Sequence, residues 1–217
     1  MVLSGAIGVF AEEAPKSDIT INVFSWGQYI SDGTDDAIDV NKAFTEATGI
    51  KVNYVTFDSN ESLYTKLKAG GSSYDVIIPS DYMIGRLIAE NMLLPLNFDN
   101  IPNYKLIDEA HKNKEYDPDN KYSVPYAWGT TGIIYNSKFV DEADIGSWDL
   151  LWNSKYKGKI LMFDNPRDAF GVAEFLLGYD LNTTDAAQLK AAADKLSEQK
   201  PVLQGYVMDQ IYSQMQH

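Results

Sequence analysis

Three short stretches hold the side chains best suited to chemistry. They are Trp26 with Tyr29, Ser80-Asp81-Tyr82, and Asp164-Asn165-Pro166-Arg167-Asp168. Together they offer aromatic faces, hydroxyls and carboxylates. Ring faces attract cations through the aromatic quadrupole, and carboxylates give ammonium groups charge-assisted hydrogen bonds. A cationic amine uses all three kinds of group, and aromatic walls also pack the methylenes between amines. Each stretch has a packing alternative as well: Trp26 as core, Asp81 and Asp168 as helix N-caps, Arg167 as the neutraliser of Asp164. An enzymatic alternative makes Asp164 and Asp168 the acid/base pair of a glycosidase. Two carboxylates one helical turn apart at a helix start share one ligand more naturally than they flank a scissile bond. Anion sites want Arg or Lys, and these loops contain only Arg167. A ferric site wants clustered tyrosine oxygens, and Tyr29 and Tyr82 alone do not make one.

The elements around these stretches explain their placement. Residues 19–24 alternate with β-branched side chains and predict a strand that delivers Trp26 and Tyr29 to its carboxyl end. Residues 35–48 predict a helix with Val40 and Phe44 on one face and Gly49 as its stop. Residues 51–57 predict the next strand. Asp58 with Glu61 reads as a capping box for a helix through Leu63 and Leu67, ended by Gly70-Gly71. Residues 74–78 form a continuous apolar strand of the kind buried on both faces, which runs into Ser80 and Tyr82. A helix with Ile84, Leu87 and Ile88 on one stripe follows. Residues 112–121 predict a surface loop, and 122–126 and 131–135 look extended around Trp128. In a second block, 159–163 predict a strand, 168–177 a helix, 184–199 a helix capped by Thr184, 202–206 a strand and 209–216 a further helix. Alternating strands and helices imply doubly wound parallel sheets, whose ligands sit beyond the carboxyl ends of the strands.

Composition narrows the function. The 217 residues carry 31 acidic and 18 basic side chains, a net charge of -13. Nucleic acid is therefore not an expected partner, since it wants a basic face, whereas cationic solutes are drawn to an acidic one. There is no cysteine, which removes disulfides, thiolate metal sites and Cys nucleophiles. His111 and His217 are the two histidines, and neither has a partner at ligand spacing. No metal, cofactor or catalytic triad is expected. No apolar run reaches the roughly 20 residues that cross a bilayer. Residues 1–13 resemble the back half of a signal peptide without its basic front, and residues 1–18 are expected to be such a remnant or linker, which implies export. Ala6 stands where a lipobox would need Cys.

The order of motifs resembles one family, the polyamine-binding (spermidine/putrescine) components of bacterial ABC transporters. It rests on Ser25-Trp26-Gly27-Gln28-Tyr29, residues 44–54 (FTEATGIKVNY), 59–67 (SNESLYTKL), 74–82 (YDVIIPSDY) and 124–132 (VPYAWGTTG), and in the second block on 147–158 (SWDLLWNSKYKG), 164–168 and 182–185. The resemblance implies a periplasmic-binding-protein-like α/β fold with a hinge, a first lobe over 19–127 and a second over 128–217. It implies a polyamine clamped by Trp26, Tyr29, Ser80 and Tyr82 of the first lobe and by Asn165 and Asp168 of the second. No enzymatic activity is implied, only capture outside the membrane and delivery to a permease. A sensing module of the same fold, or a binder of another small cationic solute, is the alternative. Asn165 departs from the carboxylate often found at its position, so its contact would be a neutral hydrogen bond. Trp148 and Trp152 match the family too, but their spacing suggests helix packing. Family members run beyond the position of His217, so the expectation is an N-terminal fragment with a partial site. Surfaces left uncovered in such a fragment favour domain swapping or a homo-oligomer.

Overall fold

The computed structural model describes residues 17–71 and 73–215. Most of the leader-like stretch lies outside the described residues, as do His217 and the end of the helix expected to reach residue 216. The chain divides into two compact units. One comprises the residues up to Pro95 with Glu115–Asp117, the other Leu96–Lys114 with Pro118 onward.

In the first unit, β1 (Thr20–Trp26), β2 (Lys51–Phe57) and β3 (Val76–Ile77) form a parallel sheet in the order β2-β1-β3. Helices α1 (Val40–Thr48), α2 (Asn60–Ala69) and α3 (Asp81–Ala89) connect and follow the strands. Phe24, Phe57, Leu63, Met83 and Leu87 form the core. Phe24 is 2% exposed, stacks on Tyr74 at 4.5 Å and meets the edge of Phe57 at 5.0 Å. Burying such a side chain contributes about 1.5–3 kcal/mol. On the outer ends of α2 and α3, Glu90 accepts from Tyr64 at 2.9 Å, Lys68 at 2.6 Å and Arg86 at 3.1 Å. The hydrogen bond from Lys68, then those from Tyr64 and Arg86, hold the Glu90 carboxyl down at about 2.

Local chemistry moves several boundaries. Helix α1 starts at Val40, not 35, because the Asp39 side chain caps it through Lys42 N–H. Asp35 and Asp36 have φ of 52° and 61°, a left-handed backbone no helix can include. The α2 box is Ser59 with Ser62, one residue along from the Asp58–Glu61 expectation. Gly49 and Gly70 stop their helices as the sequence predicts. The strand expected over 74–78 is in register with β1 at Val76 and Ile77, flanked by backbone hydrogen bonds from Asp75 to Asn22 and from Ile78 to Phe24, and Val76 is 46% exposed rather than buried. Strand β3 is an edge, and beside it Asp75 offers its carboxylate, not only its backbone, to β1: Asn22 N–H donates to it at 2.7 Å.

In the second unit, β4 (Ile160–Phe163) and β5 (Leu203–Val207) pair in parallel. Helices α4 (Pro166–Leu177) and α5 (Ala186–Gln199) cross between them, and α6 (Ile211–Gln214) follows. The core joins Met162, Ala169, Val172 and Ala173 to Ala192 and Leu196, with Trp148 and Trp152 packed against it. The packing expected of these two indoles is observed, on a 3-10 turn, with Trp152 Nε1–H donating to Lys195 O at 2.8 Å. Helix α4 opens at Pro166, before the expected 168, because Asn165 caps it. Asp185, not Thr184, caps α5, since its carboxylate reaches the N–H groups of both Ala187 and Gln188. Residues 122–126 and 131–135 carry no strand pairing.

Candidate functional site

In the first unit the predicted residues gather at one edge of the sheet. Strand order reverses on either side of β1, which makes the carboxyl ends of β1 and β3 a topological switch point, the place where open α/β sheets bind ligands. Trp26 ends β1 and lies on the same strand face as Phe24, two residues earlier. That alternation gives its ring two roles. It packs on Phe57 at 4.6 Å and approaches the Tyr29 ring at 6.2 Å. Tyr29 lies in the turn after β1 and is 45% exposed.

Ser80 and Tyr82 flank the start of α3. Both are tied to Asn60, which opens α2 and is fully buried. Ser80 N–H donates to Asn60 Oδ1 at 3.0 Å, and Asn60 Nδ2 donates to Ser80 Oγ and to Tyr82 Oη, each at 3.0 Å. Tyr82 in turn donates its proton to Glu61 Oε1 at 3.0 Å. Glu61 Oε2 and Ser25 Oγ are buried without a hydrogen-bond partner. Asp81 does not cap α3; Ser80 occupies the N-cap position, and the Asp81 carboxylate accepts from Tyr82 N–H at 2.7 Å.

Asn60 and Glu61, which the sequence analysis does not place among the candidates, complete the hydrogen-bond network of Ser80 and Tyr82. A signal was available. They follow the carboxyl end of β2, the same topological position that Ser80 and Tyr82 hold after β3. Reading Asp58 and Glu61 as a capping pair assigned Glu61 to the helix instead.

In the second unit, Asn165 and Asp168 stand where β4 passes into α4. Asn165 is 4% exposed, and its Oδ1 accepts from Arg167 N–H at 3.0 Å, closing the cap of α4. Asp168 lies half-buried in the first turn of α4, where the helix N-terminus favours a negative charge. Its alternative as the cap is excluded by Asn165. The Arg167 guanidinium hydrogen-bonds Asn182. Further along α4, burial pushes the Glu174 carboxyl above the ordinary carboxylate range; Arg167 opposes that rise and Asp180 adds to it. Two cavities in this unit, about 350 Å³ beside Lys112 and Asn120 and about 450 Å³ beside Asp144 and Trp152, contain none of the predicted residues.

The chemistry available is recognition: flat aromatic faces with fixed hydroxyl oxygens in one unit, an amide and a carboxylate at a helix start in the other. Comparison with known proteins agrees. Residues 40–215 match the bacterial extracellular solute-binding protein family. The chain is 37% identical over 205 residues to the spermidine/putrescine-binding periplasmic protein of Salmonella typhimurium, covering 94% of this chain and 57% of that one. It is 34% identical over 213 residues to a putrescine-binding periplasmic protein of Pseudomonas aeruginosa, covering 93% and 56%. The solved structure of a putative spermidine/putrescine ABC transporter from Listeria monocytogenes superposes with a TM-score of 0.82 at 40% identity, over 90% of this chain and 59% of that one. The Tp0655 lipoprotein of Treponema pallidum superposes with a TM-score of 0.78 at 28% identity, over 88% and 59%. The periplasmic-binding-protein-like α/β fold is thereby shown, and the chain spans a little over half the length of these relatives.

Proposed function

Because this chain belongs to the bacterial extracellular solute-binding protein family, we propose that it captures a linear polyamine of the putrescine–spermidine class outside the cytoplasmic membrane for delivery to an ABC-transporter permease. The observation that carries the reading is the hydroxyl pair Ser80 and Tyr82, fixed by Asn60 just after β3, with the Trp26 and Tyr29 rings at the carboxyl end of the neighbouring strand β1. Hydroxyl oxygens accept from ammonium groups, and the rings line the hydrocarbon between them. On this reading Asp168 supplies the counter-charge and Asn165 lines the same ligand. Binding, not covalent chemistry, is the activity. Residues 19–127 act as the first lobe and 128–217 as the second. The polyamine-binding names of the relatives and the acidic balance of the chain support it. No described helix is long and apolar enough to cross a membrane.

A thermal-shift panel of putrescine, spermidine and spermine tests the reading, with glucose and citrate as controls. A ligand at a hundred times its Kd stabilises the folded state by about 2.7 kcal/mol, a plain rise in melting temperature. No shift with any polyamine sinks the proposal. Asp168→Ala is expected to weaken polyamine binding more than about tenfold, the order found for removing one partner of a buried charge pair. Calorimetry giving an unchanged affinity removes Asp168 from the site. Self-association is a finer proposal resting on the exposed edge at Val76, and light scattering measures it.

A further inference from the structure

We infer, on the polyamine reading, that Glu61 is a positioning residue: it takes the Tyr82 proton, so that the Tyr82 oxygen meets a bound ammonium as a hydrogen-bond acceptor. The assignment follows from one fixed donor. Ser80 N–H can only donate, so the Asn60 atom it meets at 3.0 Å is the amide oxygen. The other end of that amide is therefore the NH2 group, and it donates to both Ser80 Oγ and Tyr82 Oη. A phenol oxygen that receives a donor in this way must send its own proton elsewhere. Glu61 Oε1 stands 3.0 Å away and accepts it.

The placement of Glu61 suits that task. It lies in the first turn of α2, where the helix N-terminus stabilises negative charge. Its second oxygen is buried with no hydrogen-bond partner among the described residues, so the Tyr82 hydroxyl is the contact that engages this carboxylate. Asn60 and Glu61 together thus set the polarity of the site: Tyr82 presents lone-pair density, which suits ammonium groups and disfavours carboxylates. Selectivity for amines is built from residues beneath the surface that touches the ligand.

Two readouts on this chain test the role. The first needs no ligand. The tyrosine Fermi doublet in ultraviolet resonance Raman spectra reports whether a phenol donates or accepts, and the difference between each chain and its Tyr82→Phe counterpart isolates Tyr82. A donor signature is expected in the wild type, retained in Glu61→Gln, whose carbonyl still accepts, and lost in Glu61→Met. Its absence from the wild type overturns the inference without need of any Glu61 variant. The second is calorimetry with 1,4-diaminobutane and 4-aminobutanoate, in which a carboxylate replaces one ammonium. Glu61→Met should lower the preference for the diamine about tenfold, the value of one hydrogen bond, while Glu61→Gln stays close to the wild type. Equal losses for both ligands would reduce Glu61 to packing and overturn the inference alone. Failure of the wild type to bind any amine overturns the polyamine reading and the selectivity role with it, and the Raman signature then stands or falls separately.

Discussion

Asn60 and Asn165 occupy the same kind of place in the two units. Each follows the carboxyl end of a parallel strand and stands at the opening of a helix. Asn165 caps its own helix, and its amide oxygen is committed to Arg167 N–H two residues away. Asn60 is relieved of that duty, because Ser59 and Ser62 cap α2 reciprocally. Its amide instead reaches 20 and 22 residues along the chain to Ser80 and Tyr82. The lesson is that the cap decides what the neighbouring polar group can do. Where serines satisfy the helix N-terminus, an asparagine can organise a site. Where the asparagine caps, its amide oxygen is held at its own helix, and Asp168 stands in the first turn beyond it.

The largest effect is expected at the core of the first unit. Phe24→Ala removes a ring that touches both Phe57 and Tyr74. It is expected to cost about 3–5 kcal/mol. Hydrogen exchange followed by mass spectrometry should show α2 and α3 losing protection while α4 and α5 keep theirs. Loss of protection throughout the chain would show that the two units do not melt separately.

The two asparagines give the direct contrast. Asn60→Ala leaves the half-buried Ser80 N–H without its amide acceptor and removes the donor shared by Ser80 Oγ and Tyr82 Oη, an expected loss of about 2–3 kcal/mol. Asn165→Ala removes one cap, worth about 1 kcal/mol. Chemical denaturation of the two variants compares them. Equal losses would mean that Asn165 also organises contacts beyond its own helix. Only Asn60→Ala should change the Tyr82 environment.

The same contrast explains what the sequence could and could not disclose. Strand β2 was legible to the residue, since its β-branched run ends cleanly at Asp58. The positions of Trp26 and Tyr29 at the end of β1, and of Ser80 and Tyr82 after β3, were legible, because the β-branched runs before them end there. Asn60 was not legible as the organiser, because its partners lie 20 residues away and no local pattern encodes that distance. The helix starts slipped for a related reason. Several Asp, Ser, Thr and Asn residues precede each helix, and all are competent caps. Backbone geometry chooses among them: Asp39 over Asp35, Ser59 over Asp58, Asp185 over Thr184, Asn165 over Asp168. The apolar run 74–78 promised a strand buried on both faces. Only the sheet order shows β3 at an edge, with Val76 facing outward.

The smallest expected effect, and the sharpest separation of the units, comes from acid. Glu90 in the first unit has its carboxyl lowered from 4.5 to about 2, chiefly by the hydrogen bond from Lys68. Its folded form therefore binds a proton less readily than the unfolded chain. The stabilisation it gives is present above about pH 4.5 and is lost as the pH falls toward 2. Glu174 in the second unit is shifted the other way, upward, by burial. Its contribution favours the fold below the unfolded value and fades as the pH rises through the folded one. Lowering the pH from neutral should thus first relieve the strain of a buried charge in α4 and then, below about 4.5, loosen α2 and α3 at the Glu90 clamp. Exchange protection measured across that range should fall in the first helix pair and hold or rise in α4. Glu90→Gln should abolish the fall, and Glu174→Gln should stabilise α4 at neutral pH and abolish its acid gain. Parallel loss in both units, unchanged by either substitution, would mean that global charge and not these two carboxyls governs the acid response. The first unit would then owe the spacing of α2 and α3, and with it the reach from Asn60 to Tyr82, to its apolar core alone.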